Sequence, residues 1–349
     1  MTEDNTLKEF ETLDIEPLIA PYPLEKRDNS RLLVINRKEN KIEHRIFNEV
    51  IEYFNEGDCL VLNETKVVKY KLIYATEEGV KKDLLLVEKK DEYGNVWSCL
   101  AKKLKDGKKY TLDGGIKIVS VFNNKDGGYT VTFDKPITEQ YIEEYGNVPL
   151  PNYIIKKRKE TNIAEYDKDE QKYQTVYAKE KGSIAAPTAG FHFTNEIIEK
   201  LSGKGVVIAR ITLHIGYGTF KMVREDPSSF IMPSERCKVS EKSAYDINTA
   251  KKNGKKIFAV GTSSMRTIEK MSDEKGTVIS GSAESDIFIK PGYKFKVADC
   301  FITNLHVPNS PPLYMTAAFA GRELLYKAYK EAVKEKYRFY SYGDSCLII

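Results

Sequence analysis

Three of the four histidines in this 349-residue chain fall in loop-like runs at the ends of expected strands, two of them rich in small residues and glycine. The runs are Ala185-Ala186-Pro187-Thr188-Ala189-Gly190-Phe191-His192-Phe193-Thr194, Thr212-Leu213-His214-Ile215-Gly216-Tyr217-Gly218-Thr219-Phe220 and Thr303-Asn304-Leu305-His306-Val307-Pro308. Imidazole has an ordinary pKa close to neutrality, so it takes or gives a proton readily there. Glycine lets a backbone come close to a ligand. One histidine in such a loop reads equally well as a hydrogen-bonded core residue. All three together, each after an expected strand, point to proton-transfer chemistry in a shared cavity.

A second group of residues suits an anion. In Gly261-Thr262-Ser263-Ser264-Met265-Arg266 a strand turns on glycine into a helix. Unpaired backbone N–H groups, two or three hydroxyls and a guanidinium then meet, which can seat a carboxylate or phosphate. The competing reading is a plain turn with Arg266 on the surface. Arg27-Asp28-Asn29-Ser30-Arg31 reads as a phosphate contact or as a salt-bridged turn, and Asn63-Glu64-Thr65-Lys66 ends a strand that could face the same cleft. Tyr173-Gln174-Thr175-Val176-Tyr177 offers flat rings and an amide, suited to gripping a base or to packing in a core. The basic runs Lys156-Lys157-Arg158-Lys159 and Lys102-Lys103-Leu104-Lys105 with Lys108-Lys109 read as nucleic-acid contacts or as solvated loops.

Other chemistries are not signalled. Gly216-Tyr217-Gly218 lacks the third glycine of a dinucleotide fingerprint, and there is no GxxxxGK[ST] phosphate loop. No HxH or HExxH spacing occurs, so a metal is not required. Cys59, Cys99, Cys237, Cys300 and Cys346 are far apart and without a CxxC pair, as in reduced cytoplasmic proteins. At 41% hydrophobic and 30% charged, the composition is that of a folded soluble chain of about two domains. A net charge of +4 and a pI of 8.5 permit a nucleic-acid partner without demanding one. No apolar run is long enough to span a bilayer. Met1-Thr2-Glu3-Asp4-Asn5 lacks the basic-then-apolar order of a signal peptide, so a cytoplasmic location is expected.

The elements that must carry these loops follow from periodicity. Arg31–Ile35 and Cys59–Leu62 read as strands, with a helix over Phe47–Phe54 from apolar residues at 47, 50, 51 and 54, stopped at Gly57. From Lys66 to about Leu150 strand follows strand, with Asp126-Gly127-Gly128 as a hairpin signal. This predicts a small antiparallel β domain or barrel over 67–150, inserted into an α/β domain of 1–66 and 151–349. From about residue 180, strands at 183–186, 206–211, 257–260 and 300–302 alternate with helices after Thr194, near 243–252, at 265–270 and from about Pro312 toward Lys336. Alternation predicts a largely parallel α/β core, whose ligands bind at the carboxyl ends of the strands.

In order along the chain, these segments carry a resemblance. They are Ser30–Val34, Gly57–Asn63, Tyr173–Ala178, Ala185–Thr194, Thr212–Phe220, Val260–Ser264 with Arg266–Glu269, Phe288–Tyr293, Ile302–Asn304 with His306, and Tyr337–Asp344. Together the chain resembles the S-adenosylmethionine:tRNA ribosyltransferase-isomerase family of queuosine biosynthesis, over nearly its whole length. The exit of the inserted region, Val148-Pro-Leu-Pro-Asn-Tyr153, belongs to the likeness too. The resemblance implies a barrel-like α/β domain with an inserted β-barrel. It implies transfer of the ribosyl moiety of S-adenosylmethionine to a 7-aminomethyl-7-deazaguanine at the tRNA wobble position, with adenine and methionine released and epoxyqueuosine formed. S-adenosylmethionine is then a cosubstrate with no resident cofactor, and a monomer is expected.

For that chemistry the sequence suggests His192 or His214 as the base and His306 as acid or orienter. Arg266, Thr262 and Ser263 would seat the amino-acid carboxylate, with Thr188, Gly190, Gly216, Gly218 and Gly261 around the substrate. Glu235 or Asp344 would hold the acceptor's ammonium, and Arg27, Arg31 and Lys66 would meet tRNA. A sulfonium about 5 Å from an imidazole, at an effective dielectric near 20, costs the protonated ring roughly 3 kcal/mol, so the substrate itself would keep the base neutral. The chain departs from the family pattern at Glu64 in place of aspartate and at Lys69-Tyr70-Lys71 in place of Pro-Ala-Arg. Pro233 stands for the histidine of Met-His-Ser-Glu, and Pro311-Pro312 for Thr-Leu. These changes leave open a tRNA-binding paralog without catalysis, or another S-adenosylmethionine-dependent RNA-modifying enzyme such as a methyltransferase.

Overall fold

The computed structural model describes residues 6–124, 127–161, 168–216, 218, 222–223 and 226–349. Two compact units emerge. One holds the described residues of 1–66, 151–166 and 171–349, the other those of 67–150 and 167–170.

In chain order the strands of the first unit begin with β1 (Arg31–Asn36), β2 (Lys41–Ile46), β3 (Cys59–Asn63) and β4 (Thr65–Val67). The second unit contributes β5 (Lys71–Thr76), β6 (Lys81–Lys89), β7 (Val96–Ala101), β8 (Tyr110–Leu112), β9 (Lys117–Asn123) and β10 (Tyr129–Phe133). There follow β11 (Glu180–Ser183), β12 (Val207–Leu213), β13 (Glu235–Val239), β14 (Ile257–Val260), β15 (Gly281–Ser285), β16 (Cys300–Asn304) and β17 (Ser345–Ile348). The helices are α1 (Glu139–Tyr145), α2 (Asn152–Glu160), α3 (Asp169–Lys172), α4 (Asn195–Gly203), α5 (Glu241–Lys252), α6 (Gly261–Lys270), α7 (Pro311–Ala320) and α8 (Arg322–Lys334).

The α/β unit is built on a nine-stranded sheet in the order β15-β13-β12-β3-β14-β16-β17-β1-β2. The ladders β12–β3, β3–β14, β14–β16 and β17–β1 are parallel; the other four are antiparallel. The sheet is therefore more mixed than alternation alone predicts, because the closing strand β17 enters antiparallel to β16. Apolar residues run unbroken along the central strands because both faces are covered. Cys59, Val61, Ile257 and Ala259 join a core with Ile247, Ile268, Leu313 and Leu325. Leu60, Leu62, Phe258 and Val260 point the other way, onto Phe47, Phe54, Ile197 and Leu201.

Several expected elements change form. Phe47–Tyr53 is a 3₁₀ stretch instead of an α-helix, although Phe47, Val50 and Phe54 are buried as the spacing predicts. Residues 183–186 are not a strand of the large sheet; β11 ends at Ser183 and pairs with β4 alone. The long helix expected from Pro312 is two helices, broken at Gly321 with φ +86°, a left-handed geometry that glycine adopts without strain. The caps agree better: Thr194 Oγ1 accepts the Ile197 N–H at 3.3 Å at the start of α4.

The inserted unit is a closed six-stranded antiparallel barrel, in the order β10-β7-β6-β5-β8-β9. Leu72, Tyr74, Leu84, Leu86, Trp97, Cys99, Val131 and Phe133 fill its interior by the period-two alternation of strands. The hairpin joining β9 to β10 turns through Gly127 at φ +87°; Asp126 of that signal lies outside the described residues, as do Met1–Asn5. All five cysteines are buried free thiols. Among the described residues no helix is long and apolar enough to cross a membrane.

Candidate active site

The carboxyl ends of β14 and β16 open into a cleft of about 130 Å³ within the α/β unit. Its walls come from the loop Ala185–Ala189, the first turn of α6, the segment Thr303–Ser310 and Tyr340–Ser341, with Tyr153 and Tyr173 beside them. The position is the one that open α/β sheets favour for ligands.

The first turn of α6 presents an open helix N-terminus at the cleft. Gly261 adopts φ +79°, which turns β14 directly into the helix, and no side chain caps the free N–H groups that result. Unpaired N–H groups and the positive end of a helix dipole favour a carboxylate there. Thr262, Ser263 and Arg266 line the cleft as well. Ser263 Oγ is held by Asn63 Nδ2 at 3.0 Å, and the same amide spans to the Leu213 carbonyl at 3.0 Å.

Arg266 is 5% exposed and Glu235 is 4% exposed, so their ion pair lies where water does not screen it. Arg266 Nη1 donates to Glu235 Oε2, and Nη2 donates to the Ser285 carbonyl at 2.6 Å. Glu235 Oε1 accepts the Gly216 N–H at 2.8 Å. Among the described residues Arg266 Nε has no hydrogen-bond partner. A carboxylate and a guanidinium thus stand side by side on one wall.

The three histidines do not share this cavity. Only His306 lines it. Its Nε2 shares a hydrogen bond with Thr303 Oγ1 at 2.7 Å, and its backbone N–H donates to Tyr329 Oη at 2.7 Å. Burial lowers its pKa to about 3, so the ring is neutral near pH 7. His192 is 3% exposed and sits behind the wall, in a 3₁₀ turn over Thr188–His192. Asn304 Nδ2 donates to the Tyr340 carbonyl at 3.1 Å, which fixes the amide's orientation. The same nitrogen therefore donates to His192 Nε2 at 3.3 Å, and His192 Nδ1 carries the proton toward Ser30 Oγ at 2.7 Å. Burial first, then Arg338 and Arg27, lower the His192 pKa to about 3. His214 lies elsewhere, with Nδ1 2.9 Å from Thr65 Oγ1 and the ring against Gly182. Its pKa is lowered by burial and by Arg236, against Glu180.

The expected roles of several other residues need correction. Asp344 is buried off the cleft; its Oδ1 accepts the Arg31 N–H at 2.9 Å and its Oδ2 the Arg338 N–H at 2.7 Å. Gly190 is glycine because a Cβ there would come 2.0 Å from Tyr177 Oη, not because a ligand approaches. Gly218 packs on Pro233, with a Cβ 2.6 Å from that ring, and Gly216 serves Glu235 instead of the cleft. Tyr217, Thr219 and Phe220 of the same motif lie outside the described residues. Thr188 does line the cleft, 3.4 Å from Asn304 Oδ1. Arg27 donates to the Gln174 carbonyl at 2.6 Å, and Arg31 to the Glu335 carbonyl at 2.6 Å while stacking 3.7 Å above Tyr337. Both arginines spend their donors inside the unit, whereas Lys66 is exposed.

Sequence reasoning gave no role to Asn304, Tyr153 or Tyr340, all of which line the cleft. Tyr153 Oη bonds Ser341 Oγ, and its ring meets Tyr340 edge-on at 4.5 Å. Tyr340 holds φ +72°, a rare geometry for a bulky residue and a signal found only in the backbone.

Comparison with known proteins gives the family. The profile of the family described as Queuosine biosynthesis protein matches residues 9–348. An S-adenosylmethionine:tRNA ribosyltransferase-isomerase from Acetivibrio thermocellus is 44% identical over 95% of this chain and 96% of its own length. The enzyme of that name from Clostridioides difficile is also 44% identical, over 95% and 96%. The chain belongs to the S-adenosylmethionine:tRNA ribosyltransferase-isomerase family of queuosine biosynthesis. A crystal structure of S-adenosylmethionine tRNA ribosyltransferase from Thermotoga maritima agrees in fold, with a TM-score of 0.55 and 33% identity over 98% of this chain and 100% of that one.

Within the ribosyltransferase-isomerase family the departures noted in sequence have structural sense. Pro311 and Pro312 occupy the first turn of α7, where proline costs no hydrogen bond, and Ser310 Oγ caps it by accepting the Leu313 N–H at 3.4 Å. Pro233 closes over Gly218. Lys69 pairs with Glu170 at 2.7 Å, and Tyr70 sets its ring on edge to Trp97 at 5.7 Å, both inside the barrel unit.

Proposed function

We propose that the chain transfers and isomerises the ribosyl moiety of S-adenosylmethionine onto 7-aminomethyl-7-deazaguanine at the tRNA wobble position. The products are epoxyqueuosine-tRNA, adenine and methionine. The observation that carries this reading is the 44% identity to enzymes of that name across 95% of the chain. S-adenosylmethionine is the cosubstrate, no resident cofactor takes part, and the enzyme works in the cytoplasm as a monomer.

The cleft supplies what the chemistry asks for. The sulfonium acidifies the adjacent ribose C5′–H, and a neutral base removes that proton as adenine departs and the sugar opens. The amine of the modified base then attacks, and closure to the epoxide expels methionine. His306 is the base: of the three loop histidines it alone lines the cleft, with Nε2 on Thr303 Oγ1. The open end of α6 and Arg266 seat the amino-acid carboxylate. Glu235 meets an ammonium, and Tyr153, Tyr173 and Tyr340 offer ring faces to a base. His192 holds the Asn304 amide instead of moving protons.

One incubation tests the reading. The protein is mixed with S-adenosylmethionine and tRNA bearing the 7-aminomethyl base, and the small molecules released are measured. Adenine and methionine in equal amounts are expected. S-adenosylhomocysteine would make the chain a methyltransferase, and tRNA binding without turnover would make it a non-catalytic paralog.

A further inference from the structure

The barrel unit carries a surface that the cleft chemistry leaves unexplained. Pairing of Cys99 with Tyr129, and of Tyr129 with Asn123, sets the carboxyl ends of β7 and β9 at the same rim. The chain leaving β7 at that rim is Lys102-Lys103-Leu104-Lys105, and Asp106 Oδ1 ties it back to β9 by accepting the Val121 N–H at 2.9 Å. Leu104 is buried as the anchor, so its three lysines stand in solvent. Among the described residues none of the three meets a carboxylate in an ion pair, whereas Lys109 is matched by Glu77 at 3.4 Å.

On β9, which that hydrogen bond ties to the loop, two large apolar side chains face water. Phe122 is 70% exposed and Val119 is 62% exposed. The ladder to β10 slips at this point: Phe133 pairs with Ile118 and Thr132 with Ser120, which leaves Val119 as the extra residue of a bulge. The bulge lets Ile118 and Val121 both point inward while Val119, Ser120 and Phe122 all point outward. An aromatic ring held open on a strand, beside unmatched lysines, is how barrels take up unpaired nucleotides: the ring stacks on a base and the cations meet phosphates.

We propose that this rim, with Phe122 at its centre and Lys102, Lys103 and Lys105 around it, binds the RNA substrate through an unstacked base and its flanking phosphates. The proposal rests on the RNA-modifying reading above, and it assigns a surface that reading does not name.

The test uses the full chain and the tRNA substrate. Phe122→Ala is expected to raise the tRNA KM about tenfold while kcat at saturating tRNA and the affinity for S-adenosylmethionine alone stay within twofold. Phe122→Tyr, which keeps a stacking face, is expected to restore wild-type KM. Replacing Lys102, Lys103 and Lys105 by alanine is expected to flatten the slope of log affinity against log salt by about 2. Unchanged KM and salt slope in an active enzyme would overturn the surface and leave the activity standing. A wild-type dimer that Phe122→Ala dissolves would assign the face to a second copy and equally overturn it. If the wild type neither binds tRNA nor releases adenine, the activity reading fails, and this one with it.

Discussion

The two units bury different things. Tyrosine and tryptophan aside, every buried polar or charged residue among the described residues belongs to the α/β unit, and the barrel has none. Each such group costs stability unless it finds a partner. In the α/β unit these groups gather near the strand ends: Asn63, Glu235, Ser263, Arg266, Thr303 and Asn304 are within or beside the cleft. The barrel is packed with apolar side chains and turns its chemistry outward, as unmatched lysines and an open phenylalanine. A preorganised site and a scaffold can thus be told apart by what each hides from water, before any ligand is placed.

The largest expected effect strikes the buried pair. Arg266→Ala takes the guanidinium away from the buried Glu235 carboxylate, which should cost about 3–5 kcal/mol in denaturant unfolding and abolish turnover. Converting both partners to apolar residues, Arg266→Met with Glu235→Leu, should recover the stability and not the turnover. Recovery of both would reduce the pair to packing. His306→Ala comes next, with turnover down at least about a hundredfold and substrate affinities little changed. His214→Ala, away from the cleft, should lose less than tenfold, and an inverted order would move the base.

The barrel side of the contrast is open to the opposite change. Val131→Thr places a hydroxyl in an interior that offers few partners and should cost about 2 kcal/mol in thermal unfolding. No loss there would mean that the barrel tolerates polar burial as the α/β unit does. The smallest effect is one of pH. His192 titrates near 3 when folded, whereas an unfolded histidine titrates near 6.5. Between those values the unfolded chain binds the extra proton, so stability falls as pH falls, by at most about 1.4 kcal/mol per unit; above 6.5 the ring contributes nothing. His192→Gln, whose amide can still accept from Asn304, removes that slope. The stability gap between wild type and variant should therefore shift by about 1.6 kcal/mol from pH 6.5 to pH 5, and a constant gap would mean the ring is not held neutral.

Much of the site was legible in local patterns and some was not. The Gly261–Arg266 turn was readable because a strand, a glycine and a helix start are neighbours in the chain, and neighbours decide backbone geometry. The placing of three imidazoles in one cavity was not readable. A histidine loop gives no hint whether its ring faces a cleft, as at His306, a buried amide, as at His192, or a threonine, as at His214. Glycine likewise misleads: Gly190 makes room for Tyr177 across 13 residues of sequence, which loop composition cannot express. The split of the last helix at Gly321 was in reach, since the residue stands in plain view between α7 and α8.

By itself the sequence determined the family, the antiparallel barrel after residue 66, the strand–helix alternation beyond 180 and the glycine turn that opens α6, because periodicity, turn chemistry and contiguous motifs are local properties. Tertiary structure alone decided that Glu235 lies against Arg266, that Asn304 joins His192 to the cleft wall, and that Asp344 is spent on two backbone N–H groups. Those pairings unite residues far apart in the chain. They depend on strand order and register in the nine-stranded sheet, which only the folded chain establishes.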